Sequence, residues 1–134
     1  MLFRSCQKAE DLLGFVGINQ YGDELAENLP YALTKRLEIA RALATSPKLL
    51  LLDEPSSGLN PAEIVGQIKL IQSINGQGIT ILIIEHVMKV IMDISHRLVV
   101  LHNGEKLAEG TPEVVCNNPK VIEAYLGGYS DASH

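Results

Sequence analysis

Cysteine, basic charge and long apolar runs are all scarce in this chain, and each scarcity excludes something. Only two cysteines occur, Cys6 and Cys116, far apart and with no His or Cys neighbour at a metal-ligand offset. A disulfide framework or zinc site therefore has no basis, and a reducing cytosolic setting is the simplest reading. Lysine and arginine number 11 against 16 acidic residues, a net charge of −5. A nucleic-acid partner is not expected, because the electrostatic footprint for one is missing. Lys35, Arg36 and Arg41 form the densest basic cluster and read as a solvated helix face. The longest apolar runs, 49–52 and 79–84, are far too short to cross a bilayer. The opening MLFRSCQKAED lacks the apolar core of a secretion signal. Any service to a membrane is expected to go through a partner. What is present is a globular balance, 46% hydrophobic and 20% charged over 134 residues, enough for one small domain with a core.

Apolar spacing predicts a first helix over about 5–15, stopped by Gly14 and Gly17. After a polar segment, Asn28-Leu29-Pro30-Tyr31 leads into a second helix whose Leu33, Leu37, Ala40 and Ala44 share a face. Ser46-Pro47 ends it, and a leucine strand follows at once. Asn60-Pro61-Ala62-Glu63 reads as a helix start, with Asn as cap, Pro in the first turn and Glu three residues on. Ile64, Ile68 and Ile71 mark the buried face of that helix. Residues 79–84 are a β-branched run of the kind covered on both faces of a sheet. Val87, Val90, Ile91 and Ile94 stripe the next helix. Residues 97–101 read as a further strand, turned at Asn103-Gly104 into a partner over 105–108. Thr111-Pro112 and Asn118-Pro119 look like capped starts of short terminal helices. This strand–helix rhythm predicts an α/β fold with a mostly parallel sheet, preceded by a small helical portion.

The chemistry concentrates in Leu49-Leu50-Leu51-Leu52-Asp53-Glu54-Pro55. A strand that ends in adjacent acids must account for their charge, since unpaired carboxylates are costly to desolvate. A Mg²⁺ ion with a nucleotide phosphate is one solution, with Asp53 holding the ion and Glu54 handling an attacking water. A strand-ending Asp that only caps a loop is the other. The second apolar strand ends in Glu85-His86, and parallel strands deliver their C-terminal ends to one edge. Asp53, Glu54 and His86 are thereby expected to converge, with His86 in reach of a γ-phosphate.

These residues resemble, in order and spacing, the C-terminal half of an ABC-type ATPase, the nucleotide-binding subunit of ABC transporters. Residues 49–54 are similar to its Walker B strand with the catalytic glutamate, 56–60 to its D-loop, and His86 to its switch histidine. Residues 29–33 stand where that family carries a signature motif, commonly LSGGQ, and 36–43 resemble the helix that follows it. The likeness runs from about Ala9 to Gly127. It is nearest to the ATPase subunits of branched-chain amino-acid uptake systems, on Asn28-Leu29-Pro30-Tyr31, Gly58-Leu59-Asn60-Pro61, Glu85-His86-Val87-Met88-Lys89-Val90, Ala108-Glu109-Gly110-Thr111-Pro112 and 118–127.

The resemblance implies a partial P-loop NTPase fold: helical-subdomain and signature residues over about 1–33, an α/β core over 34–110 and terminal helices over 111–134. It implies ATP and Mg²⁺ as cofactors, Asp53 on the metal, and Glu54 and His86 in catalysis. Leu29, Pro30, Tyr31, Ala32 and Asn60 would meet the nucleotide or the dimer interface of a second ATPase subunit. Permease subunits would hold the protein at the inner face of the cell membrane. Two features depart from the family. No G-x-x-x-x-G-K-[ST] phosphate loop occurs in these 134 residues, so the chain reads as a C-terminal fragment that by itself binds ATP weakly or not at all. The signature segment reads Leu29-Pro30-Tyr31-Ala32-Leu33, and alanine at 32 would be strained if the backbone there needs φ > 0. Two alternatives remain: a non-transport ABC ATPase, and a non-catalytic module that dimerises or binds a partner through exposed strand edges.

Overall fold

Residues 2–126 are described by the structure, a computed structural model. They fall into two compact units, divided between Glu85 and His86. In the first, helix α1 spans Leu2–Phe15. It starts three residues before the expected position, and Gly14 lies inside it. The stop is Gly17 alone, whose φ of 76° takes the chain out of the helix while Ile18 N–H bonds back to the Leu13 carbonyl at 2.8 Å. Helix α2 (Tyr31–Leu43) follows two short 3₁₀ turns and packs on α1. Ser46, with φ of 53°, turns the chain from α2 into the strand β1 (Leu49–Asp53).

Helix α3 (Pro61–Gly76) then leads to β2 (Thr80–Ile84), which pairs parallel to β1 with Leu51 opposite Leu82 and Asp53 opposite Ile84. The start of α3 is the reciprocal cap that the sequence predicts. Asn60 Oδ1 accepts from Glu63 N–H at 3.0 Å and Glu63 Oε2 accepts from Asn60 N–H at 2.8 Å. Such a cap is worth about 1 kcal/mol. The core of this unit gathers Val16, Ile18, Ile39, Ala40, Leu43, Leu50, Leu70 and Ile74. Of the expected α3 stripe, Ile68 and Ile71 are buried and Ile64 only half so.

The expectation of strands covered on both faces is corrected here. Leu50, Leu52, Ile81 and Ile83 turn toward the helices, whereas Leu49, Leu51, Leu82 and Ile84 are 52%, 65%, 60% and 60% exposed. An unbroken apolar run cannot report on its own that one of its two faces lacks a covering layer. Among the described residues this sheet has two strands.

In the second unit, α4 (Met88–Ile94) precedes β3 (Leu98–His102) and β4 (Glu105–Gly110). The strand expected over 97–101 does not extend the parallel sheet. It pairs antiparallel with β4, because Asn103 (φ 50°) and Gly104 (φ 80°) make the tight left-handed turn that folds a hairpin. Helix α5 (Pro112–Cys116) packs against α4, β3 and β4, and Val90, Val115 and Val121 are buried in this unit. The expected caps are both present: Thr111 Oγ1 accepts from Val114 N–H, and Asn118 Oδ1 accepts from Lys120 N–H at the start of α6 (Pro119–Val121). A π-helical turn completes the description at 122–126; the rest of the expected terminal helical region, 127–134, lies outside the described residues.

Candidate functional site

The acids stand where the parallel ladder ends. Asp53 is the last residue of β1, and Glu54 N–H adds one more rung by donating to the Ile84 carbonyl at 2.9 Å. The backbone then swings into the left-handed region at Glu54, φ 46°. For a residue with a Cβ this costs roughly 1–2 kcal/mol, and such costs cluster where a side chain must be aimed. The turn is closed by Ser57 N–H on the Glu54 carbonyl at 3.1 Å, over a buried Pro55 and Ser56.

From the end of the neighbouring strand, Glu85 completes the fixation: its Oε1 accepts from Ser56 N–H at 2.9 Å. Asp53, Glu54 and Glu85 thus share one edge of the sheet. Asp53 is exposed and lines a cavity of about 170 Å³ with Lys35, Glu38 and Gln67. His86, next in sequence to Glu85, opens the second unit. Among the described residues no group of three or more His, Cys, Asp or Glu could hold a metal ion. Mg²⁺ does not need one, since it binds through one or two carboxylates together with waters and phosphates. Asp53 at an open strand end fits that pattern.

The signature-like segment takes a different form from the one feared. Leu29 and Pro30 precede α2, and Tyr31 and Ala32 form its first turn, with Leu33 and Thr34 N–H groups both bonded to the Pro30 carbonyl. Ala32 is helical and is absent from the residues with positive φ, so the expected strain does not arise. The structure brings this segment onto the loop after β1. A Cβ on Gly58, whose φ is 76°, would sit 2.8 Å from Tyr31 Cε1. Lys35 Nζ in turn lies 5.5 Å from the Tyr31 ring centroid. Asn60 from the same loop spends its side-chain oxygen on capping α3.

Sequence reasoning missed two participants and one contact. Glu85 was visible as a strand-end acid, yet its partner, a backbone N–H 29 residues earlier in the chain, depends on the strand pairing. Gln67 lies in the helical stripe of Ile64, Ile68 and Ile71, and that spacing could have marked it as buried; it is 2% exposed. The contact of Tyr31 with Gly58 carries no local signal at all.

Comparison with known proteins supplies family context. The ABC transporter family matches residues 4–57, and the branched-chain amino acid ATP-binding cassette transporter family matches 105–131. The high-affinity branched-chain amino acid transport ATP-binding protein LivG of Escherichia coli is 47% identical over 121 residues, 90% of this chain and 48% of LivG. BraF of Pseudomonas aeruginosa, of the same description, is 45% identical over 84% of this chain and 44% of its own length. The chain spans about half the length of the curated relatives it matches. Among solved structures, the ADP conformation of MJ1267, an ATP-binding cassette of an ABC transporter, superposes with a TM-score of 0.84 at 34% identity. The superposition covers 92% of this chain and 50% of that one.

Proposed function

From its membership of the ABC transporter ATP-binding family, we propose that this chain carries the Walker B half of an ATPase site that energises uptake of branched-chain amino acids. The observation that supports this reading best is the strand end itself, where Asp53 projects from the last rung and Glu54 is turned out of the strand by its left-handed backbone.

In this reading Asp53 holds Mg²⁺ through its carboxylate, directly or across a water. The ion, when bound with ATP, neutralises charge on the phosphates. Glu54 orients the attacking water and accepts its proton, one residue from Asp53 and fixed by the bond of its own N–H to Ile84. Glu85 is a positioning residue, holding the turn that follows Glu54 by its bond to Ser56. His86 donates to the transferring phosphoryl group. Leu29, Pro30, Tyr31 and Ala32, with Asn60, face a second ATPase subunit, and Tyr31 ties that segment to the loop through Gly58. Permease subunits recruit the protein to the cytoplasmic face of the membrane. Among the described residues no helix is long and apolar enough to cross it.

Two measurements test the assignment. The 134-residue chain titrated with Mg²⁺ and ATP is expected to show no saturation in the micromolar range, because no phosphate-loop sequence occurs in it. A chimera that joins the unmatched part of E. coli LivG to this chain is expected to hydrolyse ATP. Glu54→Gln in that chimera is expected to lower turnover by about a hundredfold or more while nucleotide binding persists. Turnover undiminished by Glu54→Gln would remove Glu54 from the proposed role.

A further inference from the structure

Resting on the ATPase reading above, we propose that the open face of the β1–β2 sheet is a docking surface. Its occupant is the other half of an ABC ATPase domain, which binds there even as a separate polypeptide.

Strand alternation sorts the side chains of the two strands. Leu49, Leu51 and Asp53 share one face of β1, and Thr80, Leu82 and Ile84 share the same face of β2. They stand in register as Leu49 with Thr80, Leu51 with Leu82, and Asp53 with Ile84. All six are exposed. On the opposite face Leu50 is buried in one core cluster with Leu70 and Ile74 of α3, so the helical layer covers that side alone. Among the described residues each strand has one partner, which leaves each an unpaired edge. Parallel strands are normally covered on both faces, and unpaired edges invite further strands.

The occupant is narrowed by Asp53. The proposed metal-binding carboxylate stands on the same face as the apolar patch, at its carboxyl end. A polypeptide that covers Leu49, Leu51, Leu82 and Ile84 therefore reaches the edge of Asp53, where a buried carboxylate needs a counter-charge. A phosphate loop carrying Mg²⁺ and nucleotide answers that need, and none occurs in these 134 residues. The chain spans 48% of the length of E. coli LivG, which leaves about half of that relative to supply both the covering layer and the loop. A second copy of this chain fits the face less well. It brings the same leucines with another Asp53 and no phosphate loop to meet it.

The test is co-expression of this chain, tagged, with the part of E. coli LivG that it does not match, as two unlinked polypeptides. The LivG part is expected to co-purify, and sedimentation velocity should show a one-to-one complex. Leu51→Lys with Leu82→Lys is expected to reduce the co-purified LivG part by about tenfold or more, since the ammonium groups would be buried by the partner. Val65→Lys should leave recovery unchanged, because Val65 is an exposed residue of α3, in the helical layer. Circular dichroism of each variant confirms that it is folded. Failure of the LivG part to co-purify would overturn the docking surface, as would recovery only of copies of this chain bound to each other. Equal recovery with the double lysine variant would do the same. A one-to-one complex that binds but does not hydrolyse ATP would support the docking surface and count against the ATPase reading, so the two fail separately.

Discussion

At the scale of single residues, the tightest constraint on the candidate site is steric. Gly58 holds a φ of 76°, and its α-hydrogen faces the Tyr31 ring where a methyl would approach Cε1 to 2.8 Å. Glycine reaches this backbone region without penalty; alanine does not. Gly58→Ala is therefore expected to destabilise the chain by about 1 kcal/mol for the backbone alone, with more for displacing Tyr31. Urea denaturation should show a lower midpoint with an unchanged slope. A midpoint equal to that of the parent would show that the loop relaxes freely and that Tyr31 does not tie α2 to it. Glu54 is the counter-example. It holds a similar conformation, φ 46°, without being glycine, so there the side chain is kept despite the conformational cost.

At the scale of elements, the hairpin of β3 and β4 carries a cluster that responds to pH. Glu109 receives a hydrogen bond from Lys106 Nζ at 2.8 Å and another from the Arg97 guanidinium. The Lys106 hydrogen bond first, then that of Arg97 and both positive charges, lower its pKa from 4.5 to about 2. A carboxylate with a depressed folded-state pKa stabilises the fold above its unfolded value, and that contribution fades as pH falls from 4.5 toward 2. The Glu109 carboxyl ¹³C shift is expected to titrate near the lower value, and Lys106→Ala should move it upward. A midpoint already at the ordinary carboxylate value in the parent chain would rule the cluster out.

The same hairpin shows which elements were legible in the sequence. Asn103-Gly104 and Asn60-Pro61-Ala62-Glu63 act through neighbours within four positions, so composition and spacing specify them. The order of helices and strands follows from apolar periodicity for the same reason. What sequence could not give is what depends on pairing between distant segments: that Glu85 reaches Ser56, and that Tyr31 covers Gly58. The acids of the site were readable because a strand end is a local feature. Their fixation was not, because it is made across the sheet.

At the scale of the whole molecule, the first unit presents a surface that parallel sheets rarely leave open. Parallel strands are normally covered on both faces, and a two-stranded sheet is marginal without added layers. Here Leu49 and Leu51 stand beside Leu82 and Ile84 on one face, all more than half exposed, with Leu51 and Leu82 in direct register. The chain also spans only about half the length of its curated relatives. A contiguous apolar face flanked by strand edges favours association with another polypeptide. The chain alone is therefore expected to self-associate with rising concentration in sedimentation velocity. Leu51→Lys with Leu82→Lys should disperse it, since two ammonium groups on the open face make burial against a copy costly. Both side chains already face solvent, at 65% and 60% exposure, so the double variant should keep the parent's circular dichroism. A parent chain that stays monomeric at high concentration would show that this face is not adhesive. A double variant that disperses but loses its helical signal would instead mean that the open face helps hold the fold, and the substitutions would then be moved to Leu49 and Ile84.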